Sequence, residues 1–140
     1  MKIICFLSIL GISVLTGCAT QPPSQDEIIV TSSERLYDKS LAKAEGVRSV
    51  PVKITRDSGL KGFLETAFIK IDGEYVVWLN AREQMTIYLS EGGYIFEVLV
   101  PTCKDVPACT NALDVTIKKG VENNFRIQVS DGVSLIRSKT

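Results

Sequence analysis

The chain of 140 residues carries four cysteines and no histidine, so its thiols lack the commonest biological base beside them. The first that could do chemistry is Cys18, in Leu15-Thr16-Gly17-Cys18-Ala19-Thr20, closing an apolar run that begins at Ile3 behind the single cation Lys2. A thiolate sulfur at such a place is a nucleophile able to carry a lipid through a thioether. The run is shorter than the roughly 20 residues that span a bilayer, and its pattern is that of a secretory leader. With Cys5 inside that leader, Cys103 and Cys109 are left over, and in an oxidising compartment they most simply pair with each other. A loop that small contributes on the order of 2 kcal/mol through unfolded-state entropy. A reactive or metal-binding dithiol is the alternative, but the chain has no histidine to complete such a site.

Leu15-Thr16-Gly17-Cys18 resembles the bacterial lipobox, the cleavage box of the lipoprotein signal peptidase. The resemblance implies that residues 1–17 are a signal peptide and that Cys18 becomes the first mature residue. There it bears diacylglycerol on sulfur and a fatty acyl chain, such as palmitate, on its amine. Each buried methylene adds about 0.8 kcal/mol, so one chain holds reversibly while two or three hold durably. Ala19, standing where an aspartate would retain such a protein at the inner membrane, implies the outer membrane, with the domain facing the periplasm. An ordinary signal, or a short buried helix with an incidental cysteine, is the competing reading.

Sixteen basic residues balance sixteen acidic ones, which argues against a nucleic-acid partner and against strong electrostatic steering. Without histidine, Ser/His/Asp and Cys/His catalytic arrangements are excluded, and no enzyme activity is expected. Asp57, Asp72, Glu91 and Asp131 sit in turn-like contexts, where acids usually bond to nearby backbone. The glycines mark turns and make no phosphate loop before a helix, so neither a metal nor a cofactor is expected.

Residues 18–30 form the lipidated N-terminus and a proline-bearing tether. Thr31-Ser32-Ser33-Glu34 then has the form of a capping box, and helix formers run on to Gly46, so one short helix is expected over 31–46. On it Arg35, Lys39 and Lys43 share one face, either solvated or set against anionic head groups. From 47 to 140 the period becomes two. Val50, Val52 and Ile54 alternate, with Pro51 placing that strand at an edge or at the start of pairing. Asp72-Gly73 is the pair a type I′ hairpin turn favours, which sets Ile71 against Glu74, Ile69 against Val76 and Ala67 against Trp78. Met85 to Leu89 and Tyr94 to Val100 read as a second hairpin around Ser90-Glu91-Gly92-Gly93. Leu113, Val115 and Ile117, then Phe125, Ile127 and Val129, alternate cleanly, and a last short strand covers Val133 to Ile136. The fold class expected is therefore all-β: an antiparallel sandwich of the Ig-like or transthyretin-like kind with one short N-terminal helix.

Tyr75, Trp78, Tyr88, Tyr94 and Phe96 read as an aromatic strip on the hairpins for a sugar or peptide, with Trp78, Tyr88 and Tyr94 the candidate ligand contacts and core packing as the alternative. The stretch IKIDGEYVVWLNAREQMTIYLSEGGYIFEV, with Ile71-Asp72-Gly73, Val76, Leu79 and Gly93-Tyr94, resembles small bacterial outer-membrane lipoproteins whose sandwich is similar to PEGA and transthyretin-like modules. The resemblance spans roughly Val50 to Ser130 and implies an envelope domain without catalysis. The expectation is a lipid-anchored module that binds another envelope protein or acts structurally. A periplasmic glycan or peptide binder, or an inhibitor or exclusion factor, is the alternative.

Overall fold

The computed structural model describes residues 21–59, 64–102, 109–130 and 132–138. The expected signal segment 1–17, the expected lipidation site Cys18 and the Cys103 half of the expected disulfide lie outside them. Cys109 is buried, and its carbonyl accepts from the Val100 amide at 2.9 Å.

The alternating stretches form strands, and the strands form two stacked sheets. In chain order they are β1 (Ile29–Val30), β2 (Val50–Arg56), β3 (Ala67–Ile71), β4 (Glu74–Leu79), β5 (Glu83–Leu89), β6 (Gly92–Leu99), β7 (Thr110–Ile117), β8 (Asn124–Val129) and β9 (Val133–Ser138). One sheet has the order β1-β5-β2-β8-β9 and the other β4-β3-β6-β7. The second is wholly antiparallel, whereas β1 runs parallel to β5 and β2 parallel to β8 in the first. This is an all-β sandwich with two parallel pairs that alternation alone could not reveal. Pro51 falls near the start of β2, ahead of the residues that pair with β8, where its missing amide breaks no bond to that strand.

The core lies between the sheets. Val50, Val52 and Ile54 meet Phe96, Val98, Ile69 and Leu79 there, and the Phe96 and Phe125 rings touch across the gap at 5.1 Å between centroids. Burying such side chains contributes about 1.5–3 kcal/mol each and is what holds the layers together.

Four expectations are corrected. The helix over 31–46 does not form: the segment has two 3-10 turns, Ser33–Arg35 and Lys39–Ala42. Its backbone is used to bridge the sheets instead. The Ile29 and Thr31 amides donate to Arg82 and Gln84 carbonyls beside β5, and the Tyr37 amide donates to Val76 on β4, while Leu36 is buried. Tertiary pairing outweighs a helical preference of a few tenths of a kcal/mol per residue. Arg35, Lys39 and Lys43 consequently make no helical stripe.

The β3–β4 hairpin forms on its type I′ turn, with Asp72 and Gly73 at φ 52° and 85°. A bulge follows at Val76, so Ile69 faces Val77 and Ala67 faces Leu79, one residue beyond the expected register. The bulge buries both Val76 and Val77. The second expected hairpin is absent: β5 and β6 belong to different sheets, and Ser90-Glu91 carries the chain across the sandwich. Both sides of β5 are already engaged, by β2 and by β1.

Of the segment expected as a tether, 18–30, the described residues 21–30 pack on the domain. Gln21 makes a bridge with Ser58, Glu27 closes a turn on Ser24, and Pro22, Pro23 and Ile28 lie over Lys53, Thr55 and Arg126 on the outer face of the five-stranded sheet. The folded unit therefore reaches back to Gln21.

Candidate functional site

The three aromatic candidates do not converge. Tyr88 lies on the outer face of the five-stranded sheet, opposite Pro51. Tyr94 sits at the margin of the core, edge-on to Phe96, and its hydroxyl donates to the Ser90 carbonyl at 3.1 Å. It also lines a shallow cleft of about 380 Å³ with Asp72, Ile95 and Asp114. Trp78 alone is part of a larger apolar surface, on the outer face of the four-stranded sheet.

That surface follows from the register. Because side chains alternate across a strand, the residues between the buried ones of β3, β4 and β6 point outward together. Trp78, Phe68 and Leu99 form one row across three strands, and Tyr75, Lys70 and Glu97 form the next. Ile95 lies beyond them, and Tyr37 joins from the segment that bridges the sheets. Tyr37 is 55% exposed, Tyr75 44% and Ile95 50%, a cluster of large apolar groups left in water. The rings contact one another, Tyr37 with Tyr75 at 5.5 Å and Phe68 with Tyr75 edge-to-face at 6.2 Å. Such pairs are each worth about 0.5–1.5 kcal/mol beyond burial and hold the surface in one shape.

Cations cover part of it. The Arg35 guanidinium lies 3.8 Å from the Trp78 ring centroid, and the Lys70 ammonium 4.6 Å from that of Tyr75. Arg35 is held there by Glu83, whose carboxylate accepts from it at 2.6 Å and from the Asn80 amide at 2.7 Å. One ion pair thus joins the bridging segment, β4 and β5. The sequence pattern placed Arg35 on a helix stripe and offered no sign of this role.

The polar interior residues support the scaffold. Arg56 is buried and donates to the carbonyls of Leu79, at 3.1 Å, and Glu65. Burial lowers its pKa, with Glu65 and Glu83 acting in the opposite direction; a guanidinium stays charged regardless. Asp57, with a side chain only 1% exposed, receives Arg126 through two parallel bonds of 2.9 and 2.5 Å. That hydrogen-bonded pair raises the Arg126 pKa against the effect of burial. Asp57 is a turn acid by sequence, but it is part of a buried structural pair. Asp72 does behave as a turn acid, its carboxylate accepting from the Ile95 amide at 2.8 Å.

Strand edges are partly sealed. On one side the bridging segment occupies β4 at Val76 and Val77. On the other, the Asn111 side chain accepts from the Leu135 amide at 3.0 Å, and Arg137 donates to the Thr116 carbonyl at 3.2 Å. Among the described residues no group of three or more Cys, Asp and Glu is placed to hold a metal. The arrangement is suited to recognition by contact. No protein-family model matches the chain, and no curated protein or solved structure was found that matches it.

Proposed function

We propose that this is a noncatalytic lipoprotein, anchored in the outer membrane through Cys18, whose sandwich binds another envelope protein with the outer face of its four-stranded sheet. The observation that carries the reading is the row of Trp78, Phe68 and Leu99, flanked by exposed Tyr37, Tyr75 and Ile95. Aromatic residues with an arginine and a few charges among them are the composition of protein-binding hot spots. A glycan reader stacks sugars on open ring faces, whereas here Arg35 and Lys70 already lie over Trp78 and Tyr75. A peptide strand added to an edge is disfavoured by the sealed positions on β4, β7 and β9 and by the two-residue length of the remaining edge strand, β1. The two-sheet architecture is compatible with a PEGA-like or transthyretin-like module, and we place the chain near that type on its Ile71-Asp72-Gly73 hairpin.

The test is photo-crosslinking of the full-length protein in cells, with the reactive group at Tyr75 or, on the opposite sheet, at Thr86. One envelope protein captured from position 75 and not from 86 supports the reading. Its capture should fall at least tenfold in a Tyr37→Ser, Ile95→Ser variant that keeps its thermal midpoint. Equal capture from both positions, or thermal stabilisation by peptidoglycan fragments that is lost on Trp78→Ala, would sink it.

A further inference from the structure

The strands give the sandwich two distinct ends. At one end lie Gln21 on Ser58, the end of β2 at Arg56, the start of β3 at Ala67, the β4–β5 turn and the Ser130 turn. At the other lie the Asp72-Gly73 turn, the Ser90-Glu91 crossing and Ser138. The axis between them is the length of a seven-residue or eight-residue strand, about 25 Å.

The expected tether over 18–30 would let the domain wander some 40 Å from its anchor at full stretch. The structure uses most of that length. Gln21 is bridged to Ser58, whose hydroxyl contacts the Gln21 carbonyl at 3.4 Å, and Ile29 and Val30 pair with β5 at the same end. Three Cα steps separate Cys18 from Gln21, a reach of only about 10 Å. That reach is far shorter than the domain, so the anchor fixes which end is down. The same end carries Leu64, 94% exposed beside the Glu65 carbonyl that accepts from Arg56. A solvated leucine at the anchored end has an apolar surface within reach.

We propose that the lipidated protein stands on the bilayer on its Ser58 and Leu64 end, strands upright, with Leu64 against the lipid surface. The placement rests on the anchor at Cys18 assigned above. It turns the aromatic face sideways, within about 35 Å of the membrane by the sum of leash and strand length. A partner held in the same membrane is within reach of this face.

Full-length protein, processed in cells and reconstituted with its lipid into phosphatidylethanolamine and phosphatidylglycerol vesicles containing brominated lipid, tests this. Trp78→Phe removes the single native tryptophan, and Leu64→Trp or Glu74→Trp then reports from one end or the other. Quenching at 64 should exceed that at 74 at least threefold, and the contrast should shrink when a long Gly/Ser spacer separates Thr20 from Gln21. Equal quenching at 64 and 74 in membrane-bound protein overturns the placement while leaving the anchor intact. An N-terminal peptide whose mass shows no lipid on Cys18 overturns the anchor, and the placement with it. A contrast that survives the spacer overturns the short leash as its cause.

Discussion

The two outer faces of the sandwich are opposites. The five-stranded sheet presents Lys53, Thr55, Gln84, Arg126 and Tyr88, and the chain covers part of it with its own residues 22–28. The four-stranded sheet presents Phe68, Trp78 and Leu99, each half-buried, with Tyr75 and Ile95 exposed beside them. The polar face is the covered one. An intramolecular cover sits at high effective concentration, so a few hydrogen bonds such as Thr31 to Gln84 are enough to seat it. A separate partner must offset several kcal/mol of lost translational and rotational freedom, and that demands apolar area. On the proposed reading, the contrast separates a surface used by the chain itself from one left for another molecule.

The largest expected effect tests whether the two faces share one cooperative unit. Phe96→Ala should cost about 3–5 kcal/mol in denaturant titration and unfold both sheets together, because the ring joins Phe125 across the core. Separate transitions for tyrosines on the two faces would break the comparison into two independent layers. Next, Asp57→Ala leaves Arg126 without its buried carboxylate beneath the covered face and should cost about 2–3 kcal/mol. The exposed Arg48 to Glu45 pair makes the control, since Glu45→Ala should stay within about 0.5 kcal/mol. A third substitution sharpens the other side. Gly73→Ala meets no atom within 4 Å but must adopt a φ of 85°, so about 1 kcal/mol should be lost, with amide exchange rising first along β3 and β4.

The smallest effect concerns acid. The Ser24 amide and hydroxyl hold the Glu27 carboxyl below its usual pKa, and the Ser40 hydroxyl and amide do the same for Asp38. A depressed folded pKa gives stability that is present above the ordinary carboxylate range and lost as pH falls through the lower folded value. Below roughly pH 4, amides of residues 24–30 and 38–42 should therefore exchange faster while those of β2 and β6 stay protected. Uniform exchange across all four segments would show that the cover and the core are one unit in acid.

Short-range features were legible in the sequence. Asp72-Gly73 specified its turn because two consecutive positive φ angles are a local demand, and the buried rows of β2, β7 and β8 followed from period two. The β5 to β6 link was not legible, because a short Gly-bearing connection reads the same whether it closes a hairpin or carries the chain to the other sheet. Nor was the bulge at Val76, which takes its place from packing against Leu36 and Tyr37. Of the aromatic strip, Trp78 and Tyr75 joined a shared surface, while Tyr88 lies on the other sheet and Tyr94 and Phe96 pack at or in the core. Tyr37 and Ile95 went unnoticed because they come from a failed helix and a strand read only for its inner face, and Phe68 reads as sharing its face with Val77, which the bulge sends into the core instead.

By itself the sequence determined the β character, the turn positions, the absence of histidine chemistry and the Cys18 context, since each depends on residues near in the chain. Only the tertiary structure decided which strands share a sheet, which face is covered and that the packed chain reaches back to Gln21. Those depend on competition between distant segments for the same edges, and a strand carries no local mark of the neighbour that will win.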